Sequence, residues 1–315
     1  MMTTAVEPVV SAGPGGRWFN KRGRSRYRMR SYLVGWSFIL PNFIGFGVLT
    51  LYPVLMLFYV SFTNWDAFGV AKWIGIANYK QLINDVQFHT ALLNTLYYCA
   101  LVIPLTLLAS LCLALLLNTK LRGVAFFRTA AFFPYITSIV AIAVVWNLLF
   151  SPTDGPIDEV LKAIGWSNPP GWLLSQDWAM PAVAIISTWR EMGYYMVLFL
   201  AGLQAVPREL LDAARVDGAG AWQRFIHVTL PALRPTTFFV IVILTINSLK
   251  IFDLILVMTQ GGPGTSTLVL SQFIYQQGFV NYKFGYASAA SVALFLLSIM
   301  FTAVQFAINR RGGAR

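Results

Sequence analysis

Six stretches of this chain are apolar almost without interruption, at about 34 to 62, 91 to 117, 130 to 150, 179 to 203, 236 to 258 and 285 to 308. A helix needs roughly 20 residues to cross a hydrocarbon core of about 30 Å, and each stretch is that long. Their apolar residues run on continuously instead of alternating every second position, which fits helices and not barrel strands with a polar lumen side. The expectation is an all-α integral membrane protein with six transmembrane helices. Composition agrees, because 57% of the 315 residues are hydrophobic and only 11% are charged, far from the balance of a soluble domain.

Several kinds of chemistry are excluded. Cys99 and Cys112 both lie within the second run, where they read as small buried apolar side chains. His89 and His227 are far apart and lack acidic neighbours at ligand spacing, so no metal site is expected. Neither GxxxxGK[ST] nor GxSxG occurs, so the chain is not expected to be an enzyme or to bind a cofactor of its own.

The net charge of +11 would suggest nucleic acid as a partner for a soluble protein, but its distribution points elsewhere. Basic residues gather in the arm from Arg17 to Arg30, at Lys120, Arg122 and Arg128, at Arg208, Arg215, Arg224 and Arg234, and at Arg310, Arg311 and Arg315. The alternate connections hold only Lys72, Lys80, Lys162 and Lys283. This is the positive-inside bias, and it places both termini in the cytoplasm. The basic arm, residues 1 to 30, reads as mobile and in contact with anionic lipid, with no nucleic acid, and residues 311 to 315 as a short cytoplasmic tail. The apolar run that follows the arm, about 29 residues, is much longer than the apolar region of a cleaved signal peptide, so it is expected to be retained as a helix. Trp65, Trp73, Tyr79, Trp166, Trp172, Trp178 and Tyr282 fall in the outer loops and read as interfacial anchors.

The cytoplasmic connection from 204 to 235 contains DAARVDGAGAWQRFIHVTLP at 212 to 231. Pro207 suits a first helical position, and Glu209 and Asp212 put negative charge near the helix N-terminus, where the dipole favours it. A short helix over 207 to 216 would set Leu210, Leu211 and Ala214 opposite Arg208, Asp212 and Arg215. Gly218 and Gly220 break it, and a second short helix from 221 carries Trp222, Phe225 and Ile226. Such amphipathic helices either rest on headgroups or dock a cytoplasmic partner.

The register of this loop resembles the EAA loop of ABC-importer permeases. Asp212, Ala213 and Ala214 are followed after three residues by Gly218, and after nine more by Val228, one residue, Leu230 and Pro231. Asp212 stands where Glu is usual, and Val228 where Ile is usual. The stretches at 38 to 65, 127 to 146, 200 to 222, 251 to 263 and 284 to 291 extend the resemblance to the carbohydrate-type permeases of the maltose and glycerol-3-phosphate class, over residues 31 to 310. The resemblance implies a six-helix permease in the cytoplasmic membrane, paired with a second similar permease. Two cytoplasmic ATPases would bind ATP and Mg, and an external solute-binding protein would deliver a sugar. It also implies that Glu209, Asp212, Ala213, Ala214, Gly218, Leu230 and Pro231 couple this chain to an ATPase.

Charged side chains at bilayer depth cost about 2.5–3.5 kcal/mol each on insertion scales, so they are functional candidates. Arg190 and Glu191 lie midway along the fourth run; Lys250 and Asp253 lie near the centre of the fifth, i and i+3, beside Asn247. They either neutralise one another as buried pairs or line a polar path with Trp189, Tyr194 and Tyr195, and the second reading is favoured. Sugar hydroxyls take donors and acceptors while a pyranose face stacks on an aromatic ring, so tryptophan beside amide and charged groups suits a saccharide. In the resembled family, sugar contacts come from helices corresponding to these two, near Trp189 and from Ser248 to Ile251. The balanced charges favour a neutral sugar or oligosaccharide over a glycerol-3-phosphate-type anion. The rival classes are an ATP-independent channel or secondary carrier, and a membrane-embedded enzyme with Glu191 or Asp253 as base, which lacks a nucleophile beside it.

Overall fold

The computed structural model describes residues 21–119, 122–151 and 155–312, with the side chains of 21–33 and of 311 and 312 left aside. Residues 1–20 of the basic arm and 313–315 of the tail lie outside the described residues. The regular structure of the described residues is helical, joined by irregular connections such as 62–76 and 259–269, and their one β-type pairing is an isolated bridge between Thr63 and Trp73. The chain divides into two compact units at residues 56 and 57.

The first unit contains helix α1, Lys21–Phe46, a π-turn at Gly47–Leu51 and the start of α2, Tyr52–Ser61. Residues 21–30, expected to be mobile, are the first turns of α1. Extending an existing helix adds a hydrogen bond per residue, so the apolar span prolongs itself into the arm. Phe38 and Leu49 are about four-fifths exposed, as expected of a surface that meets lipid or another chain.

The second unit follows with α3, Ala77–Asn84, and α4, Val86–Leu117. Asp85 caps α4, its carboxylate accepting the N–H groups of Gln87 and Phe88 at 2.8 and 3.2 Å. At the other end Arg128 Nη2 donates to the Leu117 carbonyl at 2.7 Å, satisfying a terminal acceptor. The third apolar run is two helices, α5 at Val124–Ile136 and α6 at Ile139–Leu149, bent by 97°. Pro134 and the extended Thr137 interrupt the hydrogen-bond ladder there.

Helix α7, Pro156–Ala163, and a 3-10 turn at Trp172–Leu174 form an outer cap. Trp172, read above as an interfacial anchor, is instead buried, and its Nε1 donates to Asp158 Oδ1 at 2.6 Å. A buried carboxylate needs a donor, and this indole supplies it. Trp166 and Trp178 remain partly exposed.

Helix α8, Ala179–Gln204, packs most extensively on α4. Tyr98 Oη donates to Ser187 Oγ at 2.8 Å across that seam. Gly193 lets α5 lie directly on α8, because a Cβ there would run into the Ala131 carbonyl oxygen. The polar connection holds α9, Arg208–Val216, α10, Ala221–Arg224, a π-turn at Phe225–Thr229 and α11, Leu230–Ala232. The fifth run is α12, Arg234–Leu249, and α13, Asp253–Met258, separated by a break; α14, Leu270–Tyr275, and the long α15, Phe284–Gly312, complete the chain.

Helices Val34–Ser61, Val86–Leu117 and Phe284–Arg310 are each long and apolar enough to cross a membrane, and two bent pairs, α5 with α6 and α10–α11 with α12, pass the same test when joined. Helix α8 has 26 residues, but Arg190 and Glu191 in its middle lower its apolar character.

Candidate functional site

Two regions carry the functional candidates. The first lies midway along α8, where Trp189, Arg190, Glu191, Tyr194 and Tyr195 face neighbours on three other helices. Trp189 meets Trp146 of α6 edge to face at 5.4 Å. Arg190 lies over the Tyr135 ring of α5 at 5.6 Å, and Tyr135 stacks on Tyr194 at 4.6 Å with the rings 14° apart. A guanidinium on an aromatic face gains electrostatic support where water is scarce. Arg190 Nη1 also approaches Glu191 Oε1 at 3.8 Å, a loose pair between side chains about one-fifth exposed.

From α12, Asn247 Nδ2 donates to Tyr195 Oη at 3.3 Å. Ser248 is buried beside it, and Ser248 Oγ and Arg190 Nε are buried polar atoms without a hydrogen-bond partner. Such orphans are uncommon in finished interiors and mark where a ligand or water would supply the missing partner. The structure therefore links Arg190, Glu191, Tyr194, Tyr195 and Asn247 through Tyr135, with Trp189 next to Arg190 on α8, while Ser248 is the buried neighbour of Asn247 on α12.

Lys250 and Asp253 stand differently. They were expected to share one helical face at i and i+3, but α12 ends at Leu249 and Phe252 adopts φ −142° and ψ −62°, so the helical spacing is lost. Among the described residues the ion pairs are Arg190–Glu191 and Asp212–Arg215, and Lys250 and Asp253 form none. Lys250 is exposed along a groove of about 600 Å³ between α12 and α15, with Ser291, Phe295 and Ile299. Asp253 is exposed at the start of α13, and Ile251 is half-buried against the core.

Tyr135 and Trp146 complete the neighbourhood but were not singled out in the sequence. The available signal was a tyrosine directly after Pro134 and a tryptophan deep in an apolar run, each with a polar tip that must find a partner.

The second region is the polar loop. Pro207 is the N-cap of α9 and not its first residue. Asp212 Oδ1 pairs with Arg215 Nη1 at 3.0 Å on an exposed face, with Glu209 in the first turn. Gly218 turns the chain at φ +77°, a conformation costly for residues with a Cβ. The backbone N–H of Gly220 then donates to Gln223 Oε1 at 2.8 Å, and Arg224 Nη1 to the Ala219 carbonyl at 2.8 Å. Around this turn lies a hollow of about 340 Å³ lined by Ala214, Asp217, Gly218, Ala219, Gln223 and Arg224. Leu210, Val216 and Trp222 stand exposed beside it. Ala213 is exposed and Ala214 half-buried on α9, while Leu230 and Pro231 begin α11.

Residues 14–312 match the family model described as the binding-protein-dependent transport system inner membrane component. The chain belongs to this family. The permease is 36% identical over 289 residues to the lactose transport system permease protein LacF of Rhizobium radiobacter, covering 90% of this chain and 96% of that one. It is 35% identical over 274 residues to the sn-glycerol-3-phosphate transport system permease protein UgpA of Agrobacterium fabrum, covering 85% and 92%. Its fold matches a chain of a bacterial ABC transporter involved in alginate import with a TM-score of 0.81 at 25% identity, covering 91% of this chain and 99% of that one. Family membership makes the permease an inner-membrane component of a transport system, in agreement with the resemblance carried by its loop and apolar runs.

Proposed function

We propose that this permease forms one half of the pore of an ABC importer for a sugar or oligosaccharide, driven by ATP hydrolysis on separate subunits. The observation that carries the reading is the grouping of Tyr194 and Tyr195 with the Asn247 amide and the Arg190–Glu191 pair, with Trp189 beside them on α8. Rings beside amide and hydroxyl groups suit the two faces of a pyranose. The transport named for the lactose relative agrees with that chemistry.

In this reading the permease has six spans: 34–61, α4, α5 with α6, α8, α12 with α13, and α15. Both termini and the 204–235 connection are cytoplasmic, following the positive-inside bias. A second permease of the same family closes the path opposite Trp189, Lys250, Ile251 and Asp253. Two ATPases bind ATP and Mg, while this chain has no ATPase site of its own. They grip the loop through Glu209, Asp212, Ala213, Ala214, Gly218, Leu230 and Pro231. A solute-binding protein delivers the substrate from outside, consistent with the binding-protein dependence named for the family.

One observation favours a second substrate class. Arg190 Nε is buried without a partner, and Glu191 neutralises the guanidinium only loosely at 3.8 Å. A phosphate oxygen would satisfy that group, and one relative is named for sn-glycerol-3-phosphate transport. Competition between a neutral disaccharide and glycerol 3-phosphate separates the two.

The test is uptake into liposomes by the assembled importer with its binding protein. Trp189→Ala should lower uptake about tenfold, the loss of ~1.4 kcal/mol of stacking, with all subunits still co-purifying. Wild-type uptake by the variant would overturn the path, and ATP-independent uptake by this chain alone would overturn the importer.

A further inference from the structure

A further hollow borders the second limb of the polar loop and lies away from the α8 cluster. It is a groove of about 1050 Å³ between α12, α15 and the second limb of the polar loop. Ile226, Leu230, Phe238, Ile241 and Ile308 form its walls, and Arg234 and Asn309 are among its polar residues. Arg234 is exposed and makes no hydrogen bond or ion pair among the described residues. It stands at the N-terminal, positive end of α12, and Arg310 follows Asn309 on α15. Thr237 Oγ1 and Gln305 Oε1 are buried at the groove and lack partners, while Gln305 Nε2 is committed to Thr245 Oγ1 at 2.7 Å.

We propose that this groove binds an anionic phospholipid of the leaflet nearest the polar loop, with its phosphate at Arg234 and Asn309 and an acyl chain along Phe238, Ile241 and Ile308. Three observations choose a lipid. The groove joins apolar walls to the unpaired positive charge of Arg234, which is the complement of an anionic headgroup above a hydrocarbon tail. Val304 and Ile308 of α15 are exposed, apolar surface of the kind a membrane component can turn to its bilayer, and Ile308 also lines the groove. Its walls are bulky, whereas helix-to-helix contacts in membranes favour Gly, Ala, Ser and Thr.

The location gives the lipid a consequence. Ile226, Leu230 and Pro231 belong to the polar loop, so a bound lipid bridges that loop to α15 and ties its position to the bilayer. The inference rests on the membrane placement of the chain and is independent of which solute it carries.

The experiment uses the complete importer in nanodiscs of phosphatidylcholine with phosphatidylglycerol, and native mass spectrometry counts the phospholipids retained. The wild type should retain phosphatidylglycerol in preference to phosphatidylcholine. Arg234→Gln should reduce that retention about fivefold, the effect of one basic residue near an anionic surface. Asn309→Asp, which sets a carboxylate against the phosphate from the other helix, should reduce it at least as much and decides the matter if Arg234→Gln fails to assemble. A photo-crosslinker at position 308 should yield a lipid adduct. Equal retention in wild type and variants, or an adduct with the second permease at that position, would overturn the proposal.

Discussion

Gly193 and Gly218 are both needed, for opposite reasons. Gly193 lies in the middle of α8, where ordinary helical geometry would accept any residue, but the Ala131 backbone occupies the place of its Cβ. Gly218 has open space around it and a φ of +77° that other residues adopt only with strain. One glycine is required by packing and the other by backbone shape. The packed region positions Trp189, Arg190 and Asn247 through neighbours on three helices, while the loop holds its shape through local bonds such as Gly220 to Gln223. On the proposed function, a loop that moves relative to the bundle is suited to local bonds, and a cluster that recognises a solute is suited to fixed neighbours.

The largest expected effect therefore falls on the packed glycine. Gly193→Val should cost about 3 kcal/mol through overpacking, seen as a lowered Tm of the detergent-solubilised importer and loss of uptake. A normal melting profile would break the comparison, because it would mean that α5 can move off α8 freely.

Gly218→Val should have a smaller effect on stability, about 1–2 kcal/mol of backbone strain, and a selective effect on coupling. Solute-stimulated ATP hydrolysis should fall while the subunits stay associated. Gly218→Asn should restore much of it, since Asn tolerates the left-handed conformation, whereas Gly193→Asn should rescue nothing. Equal behaviour of the Val and Asn variants at 218 would show that bulk, not backbone shape, matters in the loop.

The smallest effect concerns the exposed pair on α9. Asp212→Asn removes its bond to Arg215 at a cost of no more than about 0.5 kcal/mol, because exposed ion pairs contribute little. A large fall in ATPase stimulation without a change in Tm would then belong to contact with a partner chain and not to the fold. Unchanged stimulation would remove Asp212 from the coupling surface.

Much of this architecture was legible from residue patterns. Continuous apolar runs located α4, α8 and α15 because a span must be long and unbroken, and the spacing around Gly218 located the loop because its turn is local. The interruptions were not legible. The bend between Ile136 and Ile139 and the break after Leu249 fall inside apolar runs, where hydrophobicity is uniform and the deciding influence is the helix packed alongside. For the same reason Tyr135 and Trp146 joined the site only when α5 and α6 were seen beside α8. Trp172 looked like an anchor because nothing local foretold the Asp158 carboxylate that draws it inside.

The break at 250 to 252 has a consequence for where water runs. Irregular backbone at membrane depth cannot be left against acyl tails, where its N–H and C=O groups would lose hydration without replacement. It is tolerated only against protein or along an aqueous cavity. On the proposed six-span topology this short stretch marks a side of the fifth span turned from the acyl tails: Ile251 already packs on the core of its own chain, and the exposed Lys250 faces water or protein.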